Sequence, residues 1–330
     1  MTVIDVHTHM LTLDWVELLR RHGGDMYEVK ETRIGGQEAV HLYGAPFMTL
    51  NPGMWDYDLR IEAMDAAGVD LAIVSLTCPN VFWGGREASL NAARIVNDSM
   101  AEHSRAKPDR IRWFASLPWQ HAQDAESELA RAVAAGALGV MVLANIAGRD
   151  LTDPGFAPIW SEIDRLGLPV LVHPTAPQGI REMSMDEFGL VPPIGFMLDT
   201  TFAFSRIILS GFIDRYPRIK LIAAHGGATL PYLAGRLDRC HEKIPACASV
   251  IQDKPSTYLE RIYYDTVVYD ARALELCIAV AGSPDNVLYG SDYPHNIGDM
   301  AGCLARVNAL PRDQARRIAG GTPSACSGYS

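Results

Sequence analysis

The sequence predicts an α/β protein built as a (β/α)8 TIM barrel, with a small subdomain inserted after the first strand. Three observations carry this. Eight short apolar runs alternate with stretches of helical periodicity. The runs are apolar throughout, as the strands of a parallel sheet covered on both faces are. Four of them also end in a residue type that ligates metals or moves protons. These are His7-Thr8-His9 after Val3-Ile4-Asp5-Val6, His173 after Leu168-Pro169-Val170-Leu171-Val172, His225 after the run from Ile219, and Asp292 after the run from Val287. A doubly wound open sheet is the competing architecture. Eight regular units with polar residues at so many strand ends favour closure.

The strands are read at Val3–His7, Asp70–Ser75, Ile111–Ser116, Gly139–Leu143, Pro169–His173, Lys220–His225, Ile262–Asp265 and Val287–Ser291. Helical patterns follow at Asp58–Ala67, Arg86–Arg105, Asp124–Ala135, Phe156–Leu166, Thr201–Arg215, Leu230–Cys240, Ala271–Ala281 and Pro311–Ala319. Two segments break the rhythm within what reads as one domain over residues 1–330. Residues 10–55 carry Gly, Thr, Val and aromatic residues with a Gly35-Gly36 turn signal, and are expected to form a flap or small β-rich subdomain. Residues 175–199 hold three prolines and three methionines without a clear period, and are expected to form a loop over the barrel mouth. The tail within 311–330 ends in a Ser/Gly-rich stretch expected to fray.

Composition narrows the class. An apolar fraction of 48% with 21% charged residues suits a globular protein with a large core. The formal charge of −10 argues against nucleic acid or an anionic membrane as a partner, although a local cation can still attract an anionic substrate. The uncharged run from Ala132 to Gly148 is shorter than a membrane span and holds three glycines. No signal peptide is readable before Asp5. Cys78, Cys240, Cys247, Cys277, Cys303 and Cys326 lack Cys-x-x-Cys spacing and read as reduced thiols, which places the chain in the cytoplasm.

In a strand, residues i and i+2 point to the same side, so His7 and His9 converge on one point. In a (β/α)8 barrel the C-terminal strand ends form the active-site face. There His7, His9, His173 and Asp292 are assigned as ligands of one divalent ion, zinc first, with manganese or iron as alternatives. His225 is assigned as general acid/base beside the open coordination position, and Asp292 has a catalytic role as well as a ligand's.

The residues that carry a family resemblance are Ile4-Asp-Val-His-Thr-His9, Trp55-Asp-Tyr-Asp-Leu-Arg-Ile-Glu-Ala-Met-Asp65, Gly167-Leu-Pro-Val-Leu-Val-His-Pro174, His225-Gly-Gly-Ala-Thr-Leu-Pro-Tyr-Leu-Ala-Gly-Arg236 and Leu288-Tyr-Gly-Ser-Asp-Tyr-Pro294. Together they resemble the amidohydrolase superfamily, in its branch of metal-dependent decarboxylases that includes aminocarboxymuconate-semialdehyde decarboxylase. The resemblance implies a single metal ion with His225 over the substrate. Binuclear relatives need a carbamylated lysine on strand 4, and no lysine lies between Lys107 and Lys220. It also implies a homodimer in which Arg236 crosses the interface to grip a substrate carboxylate in the neighbouring site. The chain departs from the semialdehyde decarboxylase in three places. Asn51 is the nearest counterpart of a substrate-binding arginine, the loop after strand 5 lacks the family's tryptophan, and Thr322 replaces a late asparagine. These departures point to a substrate with one fewer carboxylate or a different ring substituent.

The expected activity is therefore non-oxidative decarboxylation of an unsaturated or (hydroxy)aromatic carboxylic acid, a small molecule of aromatic catabolism. Direct loss of CO2 would leave an unstable vinyl or aryl carbanion, so the substrate must first be protonated or hydrated. A hydrolase (lactonase) or a hydratase acting on a ring-cleavage product would use the same ligands and is the alternative.

Overall fold

The computed structural model describes residues 2–32 and 35–320. Thr322 and Cys326, with the rest of 321–330, lie outside the described residues. Eight strands occur in the expected order: β1 (Ile4–His9), β2 (Leu71–Ser75), β3 (Ile111–Ala115), β4 (Gly139–Leu143), β5 (Pro169–His173), β6 (Lys220–Ala223), β7 (Tyr263–Asp265) and β8 (Val287–Leu288). Each pairs in parallel with the next, so order in space is order in sequence. The ring closes beyond β8. Val6 N donates to Tyr289 O at 2.9 Å, Asp292 N to His7 O at 2.8 Å and His9 N to Tyr293 O at 2.7 Å. Every residue of β1, β2, β4 and β5 is buried, which explains why β2, β4 and β5 are apolar without alternation.

Helices separate the strands, and local chemistry sets their ends. Tyr57–Ala67 starts at Asp56, whose carboxylate accepts from the amides of Asp58 and Leu59. It stops at Gly68, where φ of 78° favours a residue without Cβ. The stretch expected as one helix over Thr201–Arg215 is two, Phe196–Leu209 and Phe212–Arg215, broken at Gly211. A further helix, Met300–Asn308, was not expected. It buries Met300, Cys303, Leu304 and Val307, an i, i+3, i+4, i+7 stripe.

Residues 10–55 differ in part from the β-rich expectation. They open with a helix, Leu13–His22, capped by the Thr12 hydroxyl and anchored by buried Trp15, Val16 and Leu19. A three-stranded antiparallel sheet follows at Tyr27–Glu31, Glu38–Leu42 and Ala45–Thr49. Gly35 and Gly36, both at positive φ, lie between its first two strands. In the 175–199 segment, short turns at Glu187–Gly189 and Val191–Gly195 run straight into the helix that starts at Phe196. That helix therefore begins inside the stretch expected as loop.

Candidate metal centre and active site

Metal-ligating groups converge where the strands end. β1 supplies His7 and His9, β5 supplies His173, and the segment past β8 supplies Asp292. All four are buried, and one ligand atom from each lies within 4.8 Å of the others. A one-residue irregularity in the β1–β2 ladder between Asp5 and Thr8 precedes the pair on β1. The Nε2 atoms of His7 and His9 are 3.1 Å apart, and Asp292 Oδ1 lies 3.4 Å from the first and 3.1 Å from the second. Metal–nitrogen bonds of about 2.1 Å place ligand atoms roughly 3.4 Å apart on a tetrahedron. The spacing fits one ion.

Hydrogen bonds behind the rings set which nitrogens face the centre. His7 Nδ1 donates to Asp265 Oδ2 at 2.5 Å, and His173 Nδ1 donates to Pro174 O at 2.7 Å. Both Nε2 lone pairs are thereby turned inward. His173 Nε2 is buried without a hydrogen-bond partner. An orphaned buried acceptor facing two other imidazoles and a carboxylate is what a cation would satisfy. Burial lowers the His9 pKa to about 3, and burial with the neighbouring imidazoles brings that of His173 well below its usual value. Both rings are neutral near pH 7, as ligands must be. Burial would raise the Asp292 carboxyl, but His295, His225 and the β1 histidines outweigh it and hold the pKa well below the ordinary range.

Asp265, at the end of β7, binds more than His7. Its two oxygens also accept from the backbone amides of His225, at 2.9 Å, and Gly226, at 3.0 Å. His225 and Asp292 both stand at positive φ, 58° each, an unfavourable conformation for residues with a Cβ that is concentrated at functional sites. His225 Nε2 is 3.6 Å from Asp292 Oδ2, and its Nδ1 is buried without a partner. Asp292 thus presents Oδ1 to the donor cluster and Oδ2 to His225. Gly290 allows this crowding, since a Cβ there would stand 2.9 Å from His7 Cβ.

Next to the centre lies a chamber of about 180 Å³, bordered by His173 and Asp292 and walled by Phe47, Met48, Phe196 and Ile297. A cavity of ~150 Å³ accepts benzene, so the chamber suits one substituted ring. Phe47 comes from the antiparallel sheet and Phe196 from the mouth segment, their rings 5.9 Å apart. None of the chamber's lining residues is arginine or lysine. Asn51 and Arg236 are not among them either. Asn51 spends its amide on Pro294 O at 2.9 Å, and Arg236 lies exposed on the helix Leu230–Lys243.

Arg60 and His295, like Asp265, are site residues that the sequence does not announce. Arg60, fully buried, donates to Thr8 Oγ1 at 2.6 Å and to His9 O, and stacks over Tyr293, pinning β1 to the closing segment. His295 lines the chamber, its ring 5.0 Å from that of His9. The helical motif Trp55–Asp65 contained the first, while the second followed Pro294 in irregular chain where no strand end pointed to it.

The amidohydrolase family profile matches residues 4–325. The chain belongs to the amidohydrolase family. Within it, several relatives are decarboxylases. A 2-amino-3-carboxymuconate-6-semialdehyde decarboxylase from Dictyostelium discoideum is 29% identical over 301 residues, covering 90% of this chain and 83% of that one. The crystal structure of 5-carboxyvanillate decarboxylase from Sphingomonas paucimobilis superposes with a TM-score of 0.84 at 27% identity, over 98% of both chains. At 22% identity, a likeness of fold alone, a dihydroxybenzoic acid decarboxylase from Polaromonas with bound manganese has a TM-score of 0.77, over 99% of this chain and 97% of that one. This amidohydrolase is thus a carboxy-lyase by descent, with a site able to hold a metal.

Proposed function

We propose that the protein is a metal-dependent, non-oxidative decarboxylase of a (hydroxy)aromatic carboxylic acid, with His7, His9, His173 and Asp292 holding one divalent ion. The observation that carries this is the convergence of four buried donors beside a ring-sized apolar chamber. Three nitrogens and one oxygen suit zinc, and manganese, the ion of the Polaromonas structure, is the competitor. When bound, the ion supplies Lewis-acid neutralisation of the substrate's oxygens. Phe47 and Phe196 hold the ring and exclude water. His225 passes a proton to Asp292 Oδ2, which stands between His225 Nε2 and the chamber and delivers it to the carboxylated ring carbon. The C–C bond then breaks, its electron pair returns to the ring, and CO2 leaves. One proton is consumed for each CO2 released, and solvent restores it to His225.

The same reading includes a homodimer. The chamber has no guanidinium of its own, and Arg236 is exposed near Tyr232 on the helix after β6, without an ion pair among the described residues. Arg236 of one copy would complete the site of the other. A cytoplasmic location is supported by the five described cysteines, all free. Among the described residues no helix is long and apolar enough to cross a membrane.

The test is incubation of the metal-replete protein with hydroxybenzoates, carboxyvanillate and carboxymuconate derivatives, with detection of released CO2. Release from at least one is expected. Silence across the series with turnover of a lactone would overturn the reading in favour of a hydrolase.

A further inference from the structure

The mouth of the barrel holds a second cavity, of about 330 Å³, that shares a wall with the chamber. Cys78 and His173 line the chamber, while Pro79 and Thr175 line this outer cavity. Buried Pro79, Phe82 and Leu143 give it an apolar floor. The polar groups beside that floor already have partners. Asn145 Nδ2 donates to Ala176 O at 3.1 Å and to Asp199 Oδ1 at 2.9 Å, its Oδ1 accepts from Gly148 N at 3.0 Å, and the Tyr27 hydroxyl is hydrogen-bonded to that of Thr175. Gln178, Arg181 and Glu182 form an exposed rim. A cleft of about 530 Å³ shares Arg181 and Tyr43 with the outer cavity and Phe47 with the chamber, so the three lie in series.

Among the described residues, Arg181 is the one cation lining either the outer cavity or the cleft, and its side chain has no hydrogen bond or ion pair. Glu182, Asp186 and Glu187 border the same spaces, yet none pairs with it. Instead its guanidinium carbon lies 4.0 Å from the centre of the Tyr43 ring. Tyr43 and Gly44 form the two-residue turn between Glu38–Leu42 and Ala45–Thr49, both at positive φ, 48° and 84°. Such turns favour Asn or Gly, and a bulky residue there carries strain of the kind that gathers at functional sites. A guanidinium that spends its face on a ring keeps its N–H edge for a carboxylate. We propose that the outer cavity is a docking site for an arenecarboxylate, with Arg181 on the carboxylate and the ring on the Pro79–Phe82–Leu143 floor, where the reactant is held before it enters the chamber. This rests on the decarboxylase reading for what the reactant is. The site recognises the group that the reaction removes, so the decarboxylated product has no hold there and does not compete with the next molecule. On a chain of net charge −10, Arg181 also offsets part of the repulsion that an anion meets at the mouth.

The test compares benzoate with its neutral counterpart benzamide on the metal-loaded enzyme, with binding measured by calorimetry. Arg181→Gln should weaken benzoate by about 3- to 10-fold, the scale of a partly exposed arginine–carboxylate pair. It should change benzamide by less than about 2-fold and leave metal content, read by elemental analysis, at the wild-type level. Arg181→Lys should keep part of the preference, because it retains the charge without the planar edge. Tyr43→Ala should weaken benzoate with the guanidinium still present, Tyr43→Phe should not, and this pair carries the test if Arg181→Gln does not fold. For a hydroxybenzoate that releases CO2, Arg181→Gln should lower kcat/KM by about 3- to 10-fold with kcat within about 2-fold, since the arginine acts before the chamber. Equal benzoate binding in wild type and Arg181→Gln, an equal loss for benzamide, or a fall in kcat that matches the fall in kcat/KM would each overturn the docking site. Absence of CO2 release from every acid, with the Arg181-dependent preference for benzoate intact, would instead bring down the decarboxylase reading and leave the docking site standing.

Discussion

His9 and His225 both pack against His7 and His173 but differ in what their Nε2 atoms face. His9 Nε2 points into the donor cluster, 3.1 Å from both His7 Nε2 and Asp292 Oδ1. Removing it leaves three donors, so His9→Ala should lose bound metal and activity together, with elemental analysis and CO2 release as paired readouts. His225 Nε2 instead faces the outer oxygen of Asp292, 3.6 Å away, and lies outside the group of four converging donors. His225→Asn should keep the ion and lose about 10²–10⁴-fold in kcat, the usual scale of general acid–base catalysis. A variant of His225 that came out metal-free would reverse the division of roles. The donors and His225 were legible because each closes an apolar run, and strand ends of a barrel share one face. The supports were not. Asp265 ends a strand too, but nothing in sequence tells that its carboxylate turns back to hold His7 and the His225 backbone at once.

The mouth segment is tied down by one buried carboxyl. Asp199, in the first turn of the helix Phe196–Leu209, accepts from Thr175 N at 2.9 Å and from Asn145 Nδ2 at 2.9 Å. Burial raises its pKa to about 6. Below pH ~4 the group is protonated whether the chain is folded or not. Between about 4 and 6 the folded protein keeps a proton that the unfolded chain has released, so the stability this group contributes is lost as pH rises through about 6. Relative to Asp199→Asn, the wild type should therefore lose on the order of 1–3 kcal/mol between pH 4 and pH 7 in urea unfolding. A flat difference would show that the carboxyl titrates normally. Elements of this segment and of residues 10–55 were the least readable. The helix Leu13–His22 is anchored by only Trp15, Val16 and Leu19, too short a stripe to stand out among turn and β-formers. The helix Met300–Asn308, in contrast, carries a clean helical spacing in its buried positions but follows irregular chain rather than a strand.

At the scale of the whole molecule, the barrel itself was legible from eight regular units, while assembly rests on one exposed arginine. If Arg236 serves a neighbouring copy, Arg236→Ala should raise KM strongly with metal content unchanged. Mixing Arg236→Ala with His225→Asn under subunit exchange should restore up to about a quarter of wild-type activity, because half the dimers are mixed and one of their two sites carries neither lesion. No recovery would place the arginine in its own chain's site or outside catalysis. The closing seam has another consequence. Its backbone bonds join β1 to the stretch from Tyr289 to Tyr293, and the donors come from both sides of it, His7 and His9 on one and Asp292 on the other. During synthesis the first two donors leave the ribosome long before the last, so a nascent chain can hold the ion only through a partial and weak set. On the proposed one-metal reading, the full donor set exists only after the two ends of the barrel have met, so the ion would act as a latch set late in folding.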